Sequence, residues 1–275
     1  MLVNGSSISV EAVVPHKFAR QYSRSVTRFR FHIYPLVQAS HATLKHVNSG
    51  LNPAISARHI CFAYQKGTPV LTDVSFDLAY GESLAIVGRS GLGKTTLLRL
   101  VDGSLVPTNG DIHVCDHPLR NLSTRKRLEL RRKHIGRVFQ TPRLVPEFSV
   151  MENVMLPALL SKTHRNAARE RATALLDRVE VDPKTQVLAL SGGQACRVAV
   201  ARALICDPQV VIADEPTANL DPVLAQTVFS LLLDICRGKR ALLMVSHDQN
   251  VANQCVHVAR LKPAASSGAI LEAER

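Results

Sequence analysis

Gly88-Arg89-Ser90-Gly91-Leu92-Gly93-Lys94-Thr95 follows the apolar run Leu84-Ala85-Ile86-Val87 and precedes a stretch with helical spacing. The octet satisfies GxxxxGK[ST] and stands where that pattern requires, between a strand and a helix. Its glycines let the backbone curl so that N–H groups point inward around phosphate oxygens, with the positive end of the following helix facing the same charge. Lys94 is placed to reach the β- and γ-phosphates, Thr95 offers a hydroxyl to Mg²⁺, and the cradle extends to Thr96. A Gly-rich turn that merely joins two elements is the plain alternative, and the Lys-Thr ending weighs against it. Taken alone, the loop says only that the chain handles a nucleoside triphosphate.

Working outward, short β-rich runs alternate with helical ones from about Ser56 onward, the pattern of a mostly parallel sheet covered by helices. Strands are expected over His59 to Tyr64, Val70 to Leu78, Leu84 to Val87, Gln209 to Ala213 and Ala241 to Val245. Residues 119–190 are richer in helix signals, with Ala167 to Val179 apolar at helical spacing, and are expected to form a helical subdomain inserted into an α/β core. The buried-strand run Val210-Val211-Ile212-Ala213 ends in Asp214-Glu215-Pro216. Carboxylates at the C-terminal end of such a strand sit where open α/β sheets bind their ligands, and their alternating directions allow separate tasks. Asp214 is suited to support Mg²⁺ and Glu215 to polarise the water that attacks the γ-phosphorus.

A second anion-binding feature appears at Leu190-Ser191-Gly192-Gly193-Gln194, ahead of the helix-patterned run Arg197 to Ile205. One P-loop needs no second phosphate site in the same molecule. The economical solution is that Ser191 and its neighbours serve another copy of the chain, so that two protomers close over two ATP molecules.

At these residues the sequence resembles the ABC ATPase family, over essentially everything from Ser56 to Ala264. The resemblance implies an α/β P-loop NTPase core of RecA-like type, with an N-terminal antiparallel β subdomain and an inserted helical subdomain. It also implies roles for matching residues: Tyr64 as the aromatic that stacks on adenine, and Gln140 as the glutamine linking Mg²⁺ and the attacking water to a membrane partner. Ala218-Asn219-Leu220-Asp221 corresponds to the loop that crosses the dimer interface, and His247, in Val245-Ser246-His247-Asp248, to the histidine on the γ-phosphate. The expected catalytic set is therefore Glu215, His247, Gln140 and Lys94, with Mg²⁺ held through Thr95, Gln140 and Asp214. Partners are a second ATPase domain, in a homodimer or pseudo-dimer, and an integral membrane permease; the location is peripheral, on the cytoplasmic side of the inner membrane. The run Phe139-Gln140-Thr141-Pro142-Arg143-Leu144-Val145-Pro146-Glu147-Phe148-Ser149-Val150-Met151-Glu152-Asn153-Val154 is similar to the lipoprotein-releasing and macrolide-export branch. Two departures stand out: Ala195-Cys196 replaces a polar run after the signature, and Leu92 replaces a smaller P-loop residue. Non-transport members of the superfamily are the alternative: a soluble nucleic-acid-related protein, which lacks the support of a second cassette or a long coiled-coil insertion, or a regulatory or cell-division partner of a membrane protein, which the sequence does not separate from a transporter subunit because the ATPase would be the same.

Composition narrows the field further. With 275 residues, 46% of them hydrophobic, the chain can bury a substantial core. No run reaches the roughly 18 apolar residues of a membrane-spanning helix. The six cysteines show neither CxxC nor metal-ligand spacing, which excludes a zinc site or disulfide framework and fits a reducing compartment. The net charge of +12 is concentrated in the first fifty or so residues and in Arg125 to Lys133. Aromatics are scarce beside those charges, so no nucleic-acid partner is expected. Residues 1–55 hold one acidic residue, Glu11, and no sustained periodicity. They are read as an extension, with a composition like an organelle transit peptide or a start assigned too early, and residues 56–275 as the ATPase domain.

Overall fold

The computed structural model describes residues 52–265 and 267–274. The extension, apart from its last four residues, lies outside the described residues.

Among the described residues, ten strands form one sheet. Five of them are β3 (Ser83–Val87), β6 (Ile135–Val138), β7 (Val210–Asp214), β8 (Ala241–Ser246) and β9 (His257–Pro263), which run parallel in the order β9-β3-β8-β7-β6. Strand β3 and all six residues of β8 are buried, which explains their unbroken apolar sequences: helices cover both faces. The other half contains β1 (Ile55–Ala63), β2 (Pro69–Leu78), β4 (Asn109–Val114) and β5 (His117–Pro118), paired antiparallel in the order β5-β4-β1-β2. Here burial alternates along β1 and β4, as it does when one face is packed. Strand β10 (Ala269–Glu274) joins the halves, antiparallel to β9 and parallel to β2.

Helix α1 (Lys94–Val101) follows the P-loop and buries Leu97, Leu98, Leu100 and Val101 in the larger core. Helices α3 (Val150–Leu160) and α4 (Arg165–Arg178) pack with one face of α5 (Gly192–Leu204) in a separate apolar cluster around Val154, Ala172 and Val198. The opposite face of α5, through Cys196, Val200 and Leu204, packs with β7, β8 and α6 (Pro222–Cys236). Helix α5 is thus the wall shared by the sheet and the helical cluster.

The range 119–190 differs from a single helical insertion in one respect. It also contains α2 (Thr124–His134), whose Leu130 joins the main core, and β6, which pairs with β7 in the sheet. A four-residue strand is too short to show a period. Its Gly136 is required by α5, since a Cβ there would lie 2.4 Å from Ala203 O. Among the described residues no helix is long and apolar enough to cross a membrane.

Candidate active site

Four adjacent parallel strands end at the same edge, and each is followed by one of the expected residues. Strand β3 runs into the P-loop, β8 into His247, β7 into Glu215 and β6 into Phe139 and Gln140. Registers Val87↔Ser246, Asp214↔Val245 and Val138↔Ala213 hold these ends level. The short helix α7 (Gln249–Ala252) follows His247, capped by Asp248.

Glu215 is the centre. His247 Nδ1 lies 3.1 Å from its Oε2, Gln140 Nε2 donates to the same oxygen at 3.5 Å, and Lys94 Nζ stands 3.9 Å from Oε1. Glu215 has φ 46, the left-handed region, which costs a non-glycine residue about 1–2 kcal/mol. That conformation is held by Glu215 N donating to Val245 O and by the turn it begins. Strain of this kind is retained where it aims a functional group.

Lys94 is 6% exposed, and its ammonium donates to Gly88 O at 2.8 Å and Arg89 O at 3.0 Å. Gly93, at φ 92, caps α1; a Cβ there would approach Val70 Cγ1 to 2.8 Å, so the cradle closes only around glycine. Thr95 Oγ1 donates to Asp214 Oδ1 at 3.1 Å. Burial pushes the Asp214 carboxyl above its ordinary range; the Thr95 hydroxyl and the Arg137 and Lys94 charges oppose this, and Glu215 adds to it. A half-buried carboxylate beside a hydroxyl is a pair of hard oxygen donors whose desolvation a divalent cation would offset, so these residues fit Mg²⁺. No cluster of three His, Cys, Asp or Glu side chains that could hold a metal exists among the described residues.

Tyr64 falls just beyond the end of β1 and is 56% exposed. The ring stands edge-on to Phe62, and its hydroxyl lies 3.1 Å from Thr96 Oγ1.

The signature residues lie elsewhere. Ser191 caps α5 in a reciprocal box, with Gln194 N donating to Ser191 Oγ and Ser191 N to Gln194 Oε1. Gly192 and Gly193 lie against Leu220 and Leu224 rather than the P-loop. Asp221 accepts from Val223 N and Leu224 N as the cap of α6. No hydrogen bond or ion pair among the described residues joins Ser191–Gln194 to Gly88–Thr95.

Two arginines near Gln140 carried no sequence signal of function. Arg137 pairs with the buried Asp102 at the end of α1 and lies over the Phe139 ring. Arg202, in the last turn of α5, donates to Pro142 O and to Arg143 O.

Fold and site together define a P-loop ATPase, with the P-loop and a strand-end carboxylate on one sheet edge. The protein-family model described as ABC transporter matches residues 71–218, more than half of the chain. The lipoprotein-releasing system ATP-binding protein LolD of Xanthomonas campestris pv. campestris is 42% identical over 217 residues, 75% of this chain and 89% of that protein. LolD of Pseudomonas fluorescens is 41% identical over 214 residues, covering 76% and 94%. Among solved structures, the dimeric post-hydrolysis ATP-binding cassette MJ0796 bound to ADP and Pi is similar at TM-score 0.69 and 30% identity, covering 76% of this chain and 94% of that one. CbiO1 of Clostridium perfringens, part of an ABC transporter complex, is similar at TM-score 0.73 and 30% identity, covering 81% and 89%. The chain belongs to the ABC transporter family, as an ATP-binding subunit that hydrolyses ATP to drive transport.

Proposed function

We propose that this chain energises lipoprotein release through a separate integral permease, working as a homodimer on the inner face of the membrane. Support for the branch comes from the run Phe139 to Val154 and from the likeness to proteins named for lipoprotein release. The observation that carries the site is the convergence of Lys94, Gln140 and His247 on the Glu215 carboxylate.

Glu215 is the general base, oriented by its own backbone and by contacts on both carboxylate oxygens. Gln140 positions the attacking water against it, and His247 steadies the charge that grows on the γ-phosphate. Lys94 exchanges the carbonyls of Gly88 and Arg89 for the β- and γ-phosphates when ATP enters. Tyr64 offers its exposed face to adenine. Thr95 and Asp214, with Gln140, would hold Mg²⁺, which when bound neutralises charge on the transferred phosphoryl group. Ser191, Gly192, Gly193 and Gln194 present the positive end of α5 to the nucleotide of the other protomer, and the loop ending at Asp221 lies along the contact.

The test is Glu215→Gln. Loss of a general base lowers turnover by about 10²–10⁴-fold, with ATP affinity retained. Turnover near the wild-type rate in a well-folded Glu215→Gln protein overturns the assignment.

A further inference from the structure

We infer that Arg202 is a positioning residue for Gln140, coupling the helix that starts at Ser191 to the hydrolytic centre. The inference rests on the proposed role of Gln140.

The loop after β6 is gripped from two sides. On the sheet side, the Arg137 guanidinium is fixed by Asp102, which is 1% exposed, and lies 4.8 Å from the centre of the Phe139 ring. The Arg143 guanidinium lies 4.4 Å from the same ring. On the helix side, Arg202 donates to the carbonyls of Pro142 and Arg143, at 2.7 Å for the latter. Gln140 lies between these anchors, one residue from Phe139 and two from Pro142. Arg143 has φ 49, so the loop turns sharply where Arg202 holds it.

Arg202 is an unusual anchor. It has no ion pair with a carboxylate among the described residues, and burial together with the nearby Arg143 charge lowers its pKa from the usual arginine value. A guanidinium held by backbone carbonyls alone contributes little as a salt bridge, and its rigid fork suits it to fix the path of a loop.

Only the helix-side anchor belongs to an element that also carries the signature. Helix α5 contains no proline and has glycine only in its first turn, and Ser191 and Arg202 lie on it about 16 Å apart. A displacement of Ser191 by nucleotide on a partner protomer is therefore carried along a stiff rod to the Pro142 and Arg143 carbonyls. From there it reaches Gln140 and the 3.5 Å contact with Glu215. Ala203, beside Arg202, rests on Gly136 of β6, so what reaches the loop is a tilt of α5 about that contact, which swings the Arg202 guanidinium against the carbonyls it holds.

The experiment is a double-mutant cycle of Arg202→Ala and Gln140→Ala, read as kcat and KM for ATP, with thermal unfolding recorded for every variant. Misplacing a catalytic group by about 1 Å lowers kcat by up to about 100-fold, so Arg202→Ala is expected to lower kcat more than it raises KM. In the Gln140→Ala background, the same substitution changes kcat by less than about twofold, the limit for an effect routed through the removed side chain. Arg202→Lys, which keeps a charged donor for the two carbonyls, restores part of the loss and serves in place of Arg202→Ala if that variant fails to fold. Fully additive losses, or an Arg202 variant with wild-type kcat, overturn the inference and leave the site standing. If Gln140→Ala alone leaves kcat unchanged, the role proposed for Gln140 falls first.

Discussion

Glu215 and Asp214 are neighbours at one strand end, yet their surroundings divide their work. Glu215 receives three polar partners and a strained backbone, whereas Asp214 is half-buried against Thr95. Burial raises Asp214 above 3.8, so the folded protein holds this proton more tightly than the unfolded chain. Stability from this group therefore falls as pH rises from 3.8 through the raised value, and the penalty is complete once pH stands above that value. Asp214→Asn removes the penalty. Without nucleotide or divalent cation, its Tm is expected to exceed that of the wild type at pH 7, the advantage fading as pH is brought below 3.8, while ATP hydrolysis drops sharply. An equal or lower Tm at neutral pH would show that burial is not what governs this carboxyl. Residues such as these were readable because each follows directly on an apolar strand and its chemistry admits few other uses. Arg137 and Arg202 were not, since an arginine in a strand or late in a helix is ordinarily a surface residue.

Strands β3, β7 and β8 announced themselves as continuous apolar runs because they are buried on both faces. Others left weaker traces. Strand β4 opens on Asn109-Gly110-Asp111, which reads as a turn, and the Ala-Ile-Leu-Glu-Ala-Glu of β10 serves a helix equally well; only its pairing with β9 and β2 decides the matter. Likewise β6 is recognisable only from β7 beside it. At the signature, the proposed function gives one residue two roles. Ser191 caps α5, and replacing such a cap by alanine costs about 1 kcal/mol. Ser191→Ala is expected to lower both Tm and turnover. Ser191→Asp keeps a strong cap and so recovers the Tm, but sets a negative charge against a phosphate, and turnover should stay depressed. If the aspartate restored turnover along with stability, capping would be the only function of Ser191.

At the scale of the whole molecule, the proposed function assigns phosphate to two surfaces, the P-loop and the start of α5, and no hydrogen bond or ion pair among the described residues joins them. The P-loop lies at the ends of β3, β7 and β8, while α5 begins beside Leu220 and Leu224. Leu188, 85% exposed, precedes Ser191 by three residues, and Val223, 76% exposed, adjoins the Leu224 that lies against Gly193. In the proposed dimer, two chains in opposed orientation would bring each α5 to the other's P-loop. All the chemistry of these residues concerns ATP, which is why the sequence reveals neither cargo nor direction. The claim is tested most directly by the molecular mass in solution of Glu215→Gln with and without ATP. The account predicts a monomer without nucleotide, a dimer with ATP, and a monomer again when Ser191→Asp is added. A Glu215→Gln protein that binds ATP at full stoichiometry and remains monomeric would contradict it.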